Sequence, residues 1–412
     1  MLNPGQISPV AQAAANPAAR RIRAVMMAGM TVFLASITVS IAVNSLALGL
    51  MATCWLALMV VERRWGVLGT PLDYFFLAYV SAEIVSTLFS QNPSQALFFS
   101  RRVLLIGIVY FFASNLRTAR EIRNAVTVLL GAATAVALLG VLKLVFGNPE
   151  ENVRLGIFQF YMTTSELMLA AGLLALSFVV HSSTPRPVRF AALLALVPIL
   201  VALYATVTRG AYLAFAAGAL FIALVRNRKL LIPLAVLLIV IVLFAPPYIE
   251  NRIRSIIDLN HPENVSRIMM WTAGVRIFAD HPVFGVGDID LGDLMRQYAD
   301  PGYPGVWGHQ HNVAMQFLVT LGTVGFIAVV AMFVAIIVME WRVYRRVKRD
   351  WLFGSVVLGA MAVFVGFQVN GLTEWTFGDQ EMVVLFWTTV GLALAAGRVG
   401  LQQLRAEPAT EA

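Results

Sequence analysis

Apolar stretches of about 20 residues recur along almost the whole chain, and each is long enough to cross the hydrocarbon core of a bilayer as one helix. Only 13% of the 412 residues are charged, and the mean hydropathy is +0.79. Soluble domains carry roughly 25% charged residues. The pattern predicts an all-α polytopic membrane protein with about 12 transmembrane helices. The predicted spans are 24–42, 44–61, 71–90, 103–116, 124–146, 157–180, 190–207, 211–225, 230–246, 312–340, 351–371 and 381–397.

Basic residues gather in short clusters before the first predicted span and after every second span that follows. The clusters are Arg20–Arg23, Arg63–Arg64, Arg117–Arg123, Arg186–Arg189, Arg226–Lys229, Arg342–Arg349 and Arg398–Arg405. With twelve spans they all lie on one side, which the positive-inside rule makes cytoplasmic. This topology places both termini in the cytoplasm, in a bacterial inner membrane. It also explains the net charge of +8 without a nucleic-acid partner.

The predicted topology divides the chain into five parts. They are a disordered cytoplasmic tail (1–19), transmembrane helices 1–9 (20–246), a periplasmic loop domain (247–311), transmembrane helices 10–12 (312–398) and a second cytoplasmic tail (399–412). The N-terminal tail is not expected to be a cleavable signal, because the first apolar run leads directly into further spans. A loop as long as the one between spans 9 and 10 is usually functional.

Nine arginines fall on the predicted periplasmic side, where the positive-inside rule disfavours them. Long loops escape this rule, but Arg101, Arg102, Arg154 and Arg209 lie in short loops. They indicate an anionic group at the periplasmic surface, since a guanidinium binds two phosphate oxygens at once. For Arg209, ordinary snorkelling at a helix end is the alternative. Lys143, at the periplasmic end of span five, is a further candidate for a phosphate site.

The start of span ten concentrates groups that can do chemistry, with His309 and His311 two residues apart after Gly308. On a helix, one stripe would contain His311, Met315, Leu318, Gly322 and Gly325. The pattern therefore predicts that His311 points into the bundle at the periplasmic boundary. There a neutral imidazole can take a proton from a sugar hydroxyl. The alternative is an interfacial histidine bonded to a carbonyl group.

The long loop offers one more arginine for the site. Ser266 is a candidate N-cap, and the helix after it would carry an apolar stripe. The stripe consists of Ile268, Trp271, Val275 and Phe278. Arg267 borders this stripe, whereas Arg276 lies opposite to it. We therefore expect Arg267, and not Arg276, near the site.

Charged residues within the spans need partners. For Glu83, Glu166 and Lys143 an internal ion pair is expected, while Glu374 and Asp379 are candidates to orient the histidine of span ten. The chain has one cysteine, so it forms no internal disulfide. It shows neither a Cys/His cluster nor a suitable acidic pair, and we expect no metal or other cofactor.

Three motifs resemble those of a known enzyme family. His311–Asn312, nine further residues and then Gly322–Gly325 resemble the histidine signature of the O-antigen ligases. Arg209–Leu213 is similar to their R-x-x-x-L signature. Trp271 and the later segment His281–Gly287 are similar to the broader family that these ligases share with O-antigen polymerases.

The resemblance covers about residues 200–330 and implies a metal-independent, inverting glycosyltransferase with a GT-C-type fold. Such an enzyme takes O-antigen glycan from undecaprenyl pyrophosphate and attaches it to the lipid A-core oligosaccharide at the periplasmic face. His311 and Arg209 would be catalytic, as the base and as a ligand of the pyrophosphate. The residues expected to bind pyrophosphate or sugar are Arg101, Arg102, Lys143, Arg154, Arg267, His309 and Asn312.

Two other functions stay open at this point. A polymerase would join glycan units on the same lipid carrier, although the spacing between His311–Asn312 and Gly322–Gly325 favours a ligase. A transporter of lipid-linked glycan typically has repeated halves and helices broken at the bilayer midplane. The sequence shows no such duplication.

Overall fold

The computed structural model describes residues 16–63, 69–147, 154–232, 234–236, 247–302 and 308–406, and all regular elements in these ranges are helical. The α-helices are α1 (Pro17–Ser36), α2 (Ile41–Val61), α3 (Asp73–Phe89), α4 (Pro93–Ser100), α5 (Gly107–Asn115), α6 (Ala119–Phe146), α7 (Tyr161–Val180), α8 (Arg186–Ala205), α9 (Arg209–Arg226), α10 (Pro247–Arg254), α11 (Pro262–Asp280), α12 (Gly292–Tyr298), α13 (Val313–Val347), α14 (Trp351–Asn370) and α15 (Gln380–Ala406). Two 3₁₀ helices cover Arg101–Ile106 and Arg228–Leu230. Helices α1 and α15 each extend a few residues into the predicted tails.

Within the described residues, nine helical segments are long and apolar enough to cross a membrane, which confirms a polytopic α-helical membrane protein. Each coincides with one predicted span, and Pro93–Asn115, which includes α4 and α5, is the fourth. Two other predicted spans correspond to α1, which begins with an arginine cluster, and to α3, which is 17 residues long. The span predicted at 230–246 lies largely outside the described residues, so the count of twelve stays a prediction.

Three helices, α7, α14 and α15, form the centre of the bundle and are buried along most of their length. Peripheral helices expose large apolar side chains such as Leu46 and Leu77, as lipid-facing helices do. Small residues allow the central helices to approach closely. A Cβ atom on Gly218 of α9 would lie 3.0 Å from the carbonyl oxygen of Ala362 in α14.

The segment between the ninth and tenth predicted spans contains α10, α11 and α12, and α11 and α12 share a small core with Val319 of α13. Helix α11 begins at Pro262 with His261 as N-cap, so the N-cap predicted at Ser266 is wrong. The predicted apolar stripe is half right, because Trp271 and Phe278 pack against this core whereas Ile268 and Val275 are largely exposed. The buried residues are Met270, Ala273, Gly274 and Ile277. This face of α11 can pack closely because Gly274 has no side chain and lies directly against the Gln310 side chain.

Helix α13 is broken at Gly322, which has φ +64° and ψ −169°. The loop after α11 packs into the break. The amides of Val286 and Gly287 donate hydrogen bonds to the carbonyls of Val319 (3.1 Å) and Thr320 (2.9 Å). In return, the Thr323 amide donates to the Pro282 carbonyl at 2.9 Å. Backbone groups freed by the break thus find partners in the loop, as buried groups must.

The stripe predicted from His311 to Gly325 is therefore wrong as a continuous helical face. His311 precedes the helix, whose N-cap is Asn312, and Gly322 interrupts the helical spacing. The residues that looked like a packing stripe instead serve two separate structures. One is the turn that presents the histidine, and the other is the break that anchors the loop.

Candidate active site

A cavity of about 550 Å³ lies at the end of the bundle where α13 begins. Its volume is in the range of small-molecule binding sites. Charged and titratable side chains from four separated parts of the chain meet there. They are Arg101, Arg102, Asp288, Asp290, His309, His311, Glu374 and Asp379.

His311 is held in the cavity wall by an unusual backbone conformation. Its φ is +45°, in the left-handed region that a non-glycine residue seldom adopts and that clusters at functional sites. Next to it, the Asn312 side chain caps α13 through the Met315 amide (2.9 Å) and donates to the Leu372 carbonyl (2.9 Å). These bonds tie the turn before α13 to the loop after α14.

The same loop brings a carboxylate to the histidine. Oε1 of Glu374 lies 2.6 Å from Nδ1 of His311; the His311 side chain is buried and that of Glu374 is partly buried. Burial alone would raise the pKa of Glu374, but the hydrogen bond and charge of His311 and the charge of Arg267 outweigh it and lower the pKa. An ionised Glu374 accepts the bond, so Nδ1 carries the proton and Nε2 is the basic nitrogen.

His309 is the second imidazole of the site. Its ring centroid is 4.2 Å from that of His311, and its Nδ1 accepts a hydrogen bond from the His311 amide at 3.3 Å. Burial and the neighbouring His311 lower the pKa of His309 to about 4. His309 is therefore neutral at physiological pH and supports the turn without adding a charge.

Two adjacent arginines line the far wall of the cavity and differ in their environment. Arg102 forms an ion pair with Asp288, donates to the Phe377 carbonyl at 2.9 Å and faces the ring of Trp375. Burial raises the pKa of Asp288, although Arg102 opposes this shift. Arg101 is exposed, packs over the Phe98 ring at 3.8 Å and has no carboxylate partner among the described residues. Arg101 is thus the cation available to a ligand at the mouth.

A second, smaller cavity of about 70 Å³ adjoins the first, and Glu374 lines both. Four arginines surround it together with three carboxylates, which leaves an excess of positive charge. The charged residues are Arg154, Arg209, Arg252, Arg267, Glu166, Glu263 and Glu374. Glu374 links the two cavities, because its Oε1 contacts Nδ1 of His311 and its Oε2 lies 3.8 Å from the guanidinium of Arg267.

Arg209, at the start of α9, is the most enclosed of these arginines. Its guanidinium donates to the carbonyl (2.6 Å) and hydroxyl (2.8 Å) of Ser255, to Glu263 (2.8 Å) and to Asn264 (3.1 Å). Arg252 binds the same Glu263 oxygen at 2.8 Å. Burial would raise the pKa of Glu263, but the bond and charge of Arg252 and the charge of Arg209 lower it.

The structure brings most of the predicted site residues to these two cavities. Arg101, Arg102, His309 and His311 line the larger cavity, and Arg154, Arg209 and Arg267 line the smaller one.

Lys143 and Asn312 line neither of the two cavities. The Lys143 ammonium donates to the Gly156 carbonyl at 3.1 Å, and Asn312 serves as the N-cap of α13. The ion pairs expected for Glu83 and Glu166 are not formed within the described residues. Instead, Glu166 accepts a hydrogen bond from the Asn370 amide at 2.6 Å.

Sequence reasoning missed Arg252 as a member of the arginine cluster. It was one of nine arginines on the predicted periplasmic side, and nothing in the sequence separated it from Arg254. The structure separates them, because Arg254 forms an exposed pair with Glu250 one helical turn away. Thr163 was also missed. It lines the larger cavity and donates to Asp379 at 2.6 Å, and no sequence signal marks it.

A family model described as O-antigen ligase matches residues 194–330. This third of the chain is similar to the O-antigen ligase family. The resemblance expected from the motifs is confirmed, and the matched region contains Arg209, Arg267, His309 and His311. Arg101 and Glu374 lie outside the matched region, so the cavity joins it to the rest of the bundle.

Comparison with curated proteins gives no match. Among solved structures, a chain from a peptidoglycan synthase complex, described as coordinating polymerization and crosslinking, is similar with a TM-score of 0.50 and 17% identity. The alignment covers 82% of this chain and 100% of that chain. At this identity the likeness shows a shared fold alone.

Proposed function

We propose that this protein is an O-antigen ligase of a bacterial inner membrane. It transfers glycan from undecaprenyl pyrophosphate to the lipid A-core oligosaccharide at the periplasmic face, as an inverting, metal-independent transferase of the GT-C type. The single observation that carries the proposal is the His311–Glu374 pair, which lies in a cavity beside an arginine cluster, with His311 inside the region that matches the O-antigen ligase family.

In this proposal His311 is the general base. Its Nε2 takes the proton from an acceptor sugar hydroxyl, and the hydroxyl oxygen forms a bond to the anomeric carbon of the donor glycan. The bond from that carbon to the pyrophosphate oxygen breaks, and undecaprenyl pyrophosphate leaves with the electron pair. Glu374 stabilises the imidazolium that forms, as a carboxylate does in a catalytic triad.

The leaving pyrophosphate needs positive charge close to the base. Arg267 is well suited because its contact with Glu374 is long, at 3.8 Å, and can be exchanged for a phosphate oxygen. Arg101 supplies a second cation at the cavity mouth. Arg209 and Arg154 supply the field of the smaller cavity, and the bonds of Arg209 to Ser255 and Glu263 keep that wall in place.

The test is transfer from purified undecaprenyl-pyrophosphate glycan to lipid A-core in detergent, with a chelator present. His311→Ala is expected to abolish product. His261→Asn is a matched control, because His261 caps α11 and asparagine is also a good N-cap. Undiminished transfer by His311→Ala would remove the base assignment. Product formed only on another carrier-linked glycan would replace ligase with polymerase.

A further inference from the structure

A third cavity, of about 310 Å³, lies at the opposite end of α13 from His311. Helix α13 has 35 residues, so the two sites are separated by roughly 50 Å of helix. The walls of the third cavity come from the end of α13, the turn after it, the start of α14 and the last turns of α15. This end of the bundle is the one that the charge pattern predicts to be cytoplasmic.

The cavity has a strongly basic rim. Its four cations are Arg345, Arg346, Lys348 and Arg349, and all four side chains are exposed. Among the described residues that line it, the single acid is Asp350, whose Oδ1 is occupied as the N-cap of α14, accepting from the amides of Leu352 and Phe353 at 2.8 Å.

These cations differ from other basic residues at the same end of the bundle. Arg23 pairs with Glu121 at 2.8 Å, and Arg398 donates to the Leu116 carbonyl at 2.6 Å. Arg226 donates to the Ser182 hydroxyl at 2.5 Å. In the part of the chain that the structure describes, the side chains of Arg345, Arg346 and Arg349 have no hydrogen-bonding or ion-pairing partner.

The rest of the lining is mainly apolar and includes Gln403. Val347 and Phe353 are buried, whereas Leu404 is 54% exposed and presents an apolar surface beside the arginines. Trp341 lies one helical turn before Arg345 and is 42% exposed, which is typical of a residue at a membrane–water boundary. Concentrated positive charge beside an apolar wall at that boundary matches a phosphate group attached to acyl chains.

We propose that this cavity binds the phosphate headgroup of an anionic phospholipid. Arg345, Arg346 and Arg349 contact the phosphate, and an acyl chain lies against the exposed Leu404. Basic pockets between helices at this membrane face are suited to such headgroups. The site holds the ends of α13 and α15 at the boundary, independently of the glycan chemistry proposed above.

The test is native mass spectrometry of the full chain in detergent, titrated with dioleoylphosphatidylglycerol, dioleoylphosphatidylcholine or inorganic phosphate. The triple variant R345Q/R346Q/R349Q is compared with R228Q/K229Q/R342Q, which removes the same charge from exposed positions outside the cavity. We expect phosphatidylglycerol to bind the triple variant roughly a hundredfold more weakly, and the control variant about as tightly as the parent.

Equal loss in both triple variants would assign binding to net charge and overturn the proposal. Equal binding of phosphatidylcholine, or inorganic phosphate that binds as tightly as the lipid, would also overturn it. If the cavity variant does not fold, Leu404→Glu provides the same test, because this exposed position places an acid beside the arginines. It is expected to weaken phosphatidylglycerol binding, and unchanged binding would contradict the assignment.

Discussion

The carboxylate of Glu374 contacts Nδ1 of His311 at 2.6 Å, although the two residues are 63 positions apart. The contact depends on the hydrogen bonds between the turn before α13 and the loop after α14, including the Val313 amide to the Gly371 carbonyl at 2.7 Å. The imidazole and the carboxylate that contacts it are thus held in place by backbone hydrogen bonds of the protein itself.

The first prediction concerns this contact. Glu374→Gln keeps the size of the side chain but removes the charge that fixes the imidazole tautomer and stabilises imidazolium. We expect the turnover rate of glycan transfer to fall by about 10²–10⁴-fold, with little change in KM. Initial rates in the purified transfer assay test this. Glu250→Gln, in an exposed pair, is the control, and a full rate for Glu374→Gln would contradict the role of Glu374.

The second prediction concerns pH and stability. The pKa of His309 is lowered to about 4 in the folded protein, so the unfolded chain binds more protons than the folded one between about pH 6.5 and 4. Stability is therefore fully present above about pH 6.5 and falls as the pH is lowered towards 4, by up to about 3 kcal/mol. Thermal unfolding across this range measures the effect. His309→Asn should flatten the slope, and an unchanged slope would show that other groups cause it.

The third prediction tests the break in α13. A Cβ atom on Gly285 would lie 2.4 Å from backbone atoms of Thr320, and Gly285 has φ +68°. Gly285→Ala should therefore force the loop out of the break and destabilise the protein by about 3 kcal/mol or more. The readout is the apparent Tm in detergent. Gly131→Ala is the control, because a Cβ there meets open space, and equal Tm values would contradict the account.

The fourth prediction concerns Arg102, which, unlike Arg101, forms an ion pair with a buried carboxylate. Arg102→Gln leaves the buried Asp288 without its ion-pair partner and should lower the unfolding free energy by about 3 kcal/mol. Adding Asp288→Asn should restore part of that loss, since the unpaired charge is then removed. Thermal unfolding of the single and double variants measures this coupling. Purely additive losses would exclude it.

The fifth prediction concerns Arg101. This side chain is exposed, so Arg101→Gln should leave the Tm unchanged while raising the KM for the lipid-linked donor by about tenfold. Steady-state kinetics with varied donor measure the effect. Arg276→Gln is the control, since Arg276 pairs with Asp300 on an exposed surface. A donor KM that does not change in Arg101→Gln would remove this residue from the pyrophosphate site.

Helical phase predicted the relative positions of two arginines of the long loop. It favoured Arg267 over Arg276, and the structure places Arg267 at the smaller cavity and Arg276 on the surface. The same reasoning failed where backbone geometry departs from a helix. His311 and Gly322 both have positive φ, and no periodicity reports a left-handed residue or a broken helix.

The sequence by itself determined the membrane-spanning character of the chain and the concentration of histidine and arginine near one end of the bundle. These properties follow from apolar length and charge position, which are local along the chain. Only the tertiary structure decided that Glu374 pairs with His311, that Arg102 is neutralised by Asp288 while Arg101 stays exposed, and that Arg209 is enclosed by Ser255 and Glu263. The physical reason is that each of these partners comes from a distant segment, and its position depends on packing and backbone hydrogen bonds that no local pattern encodes.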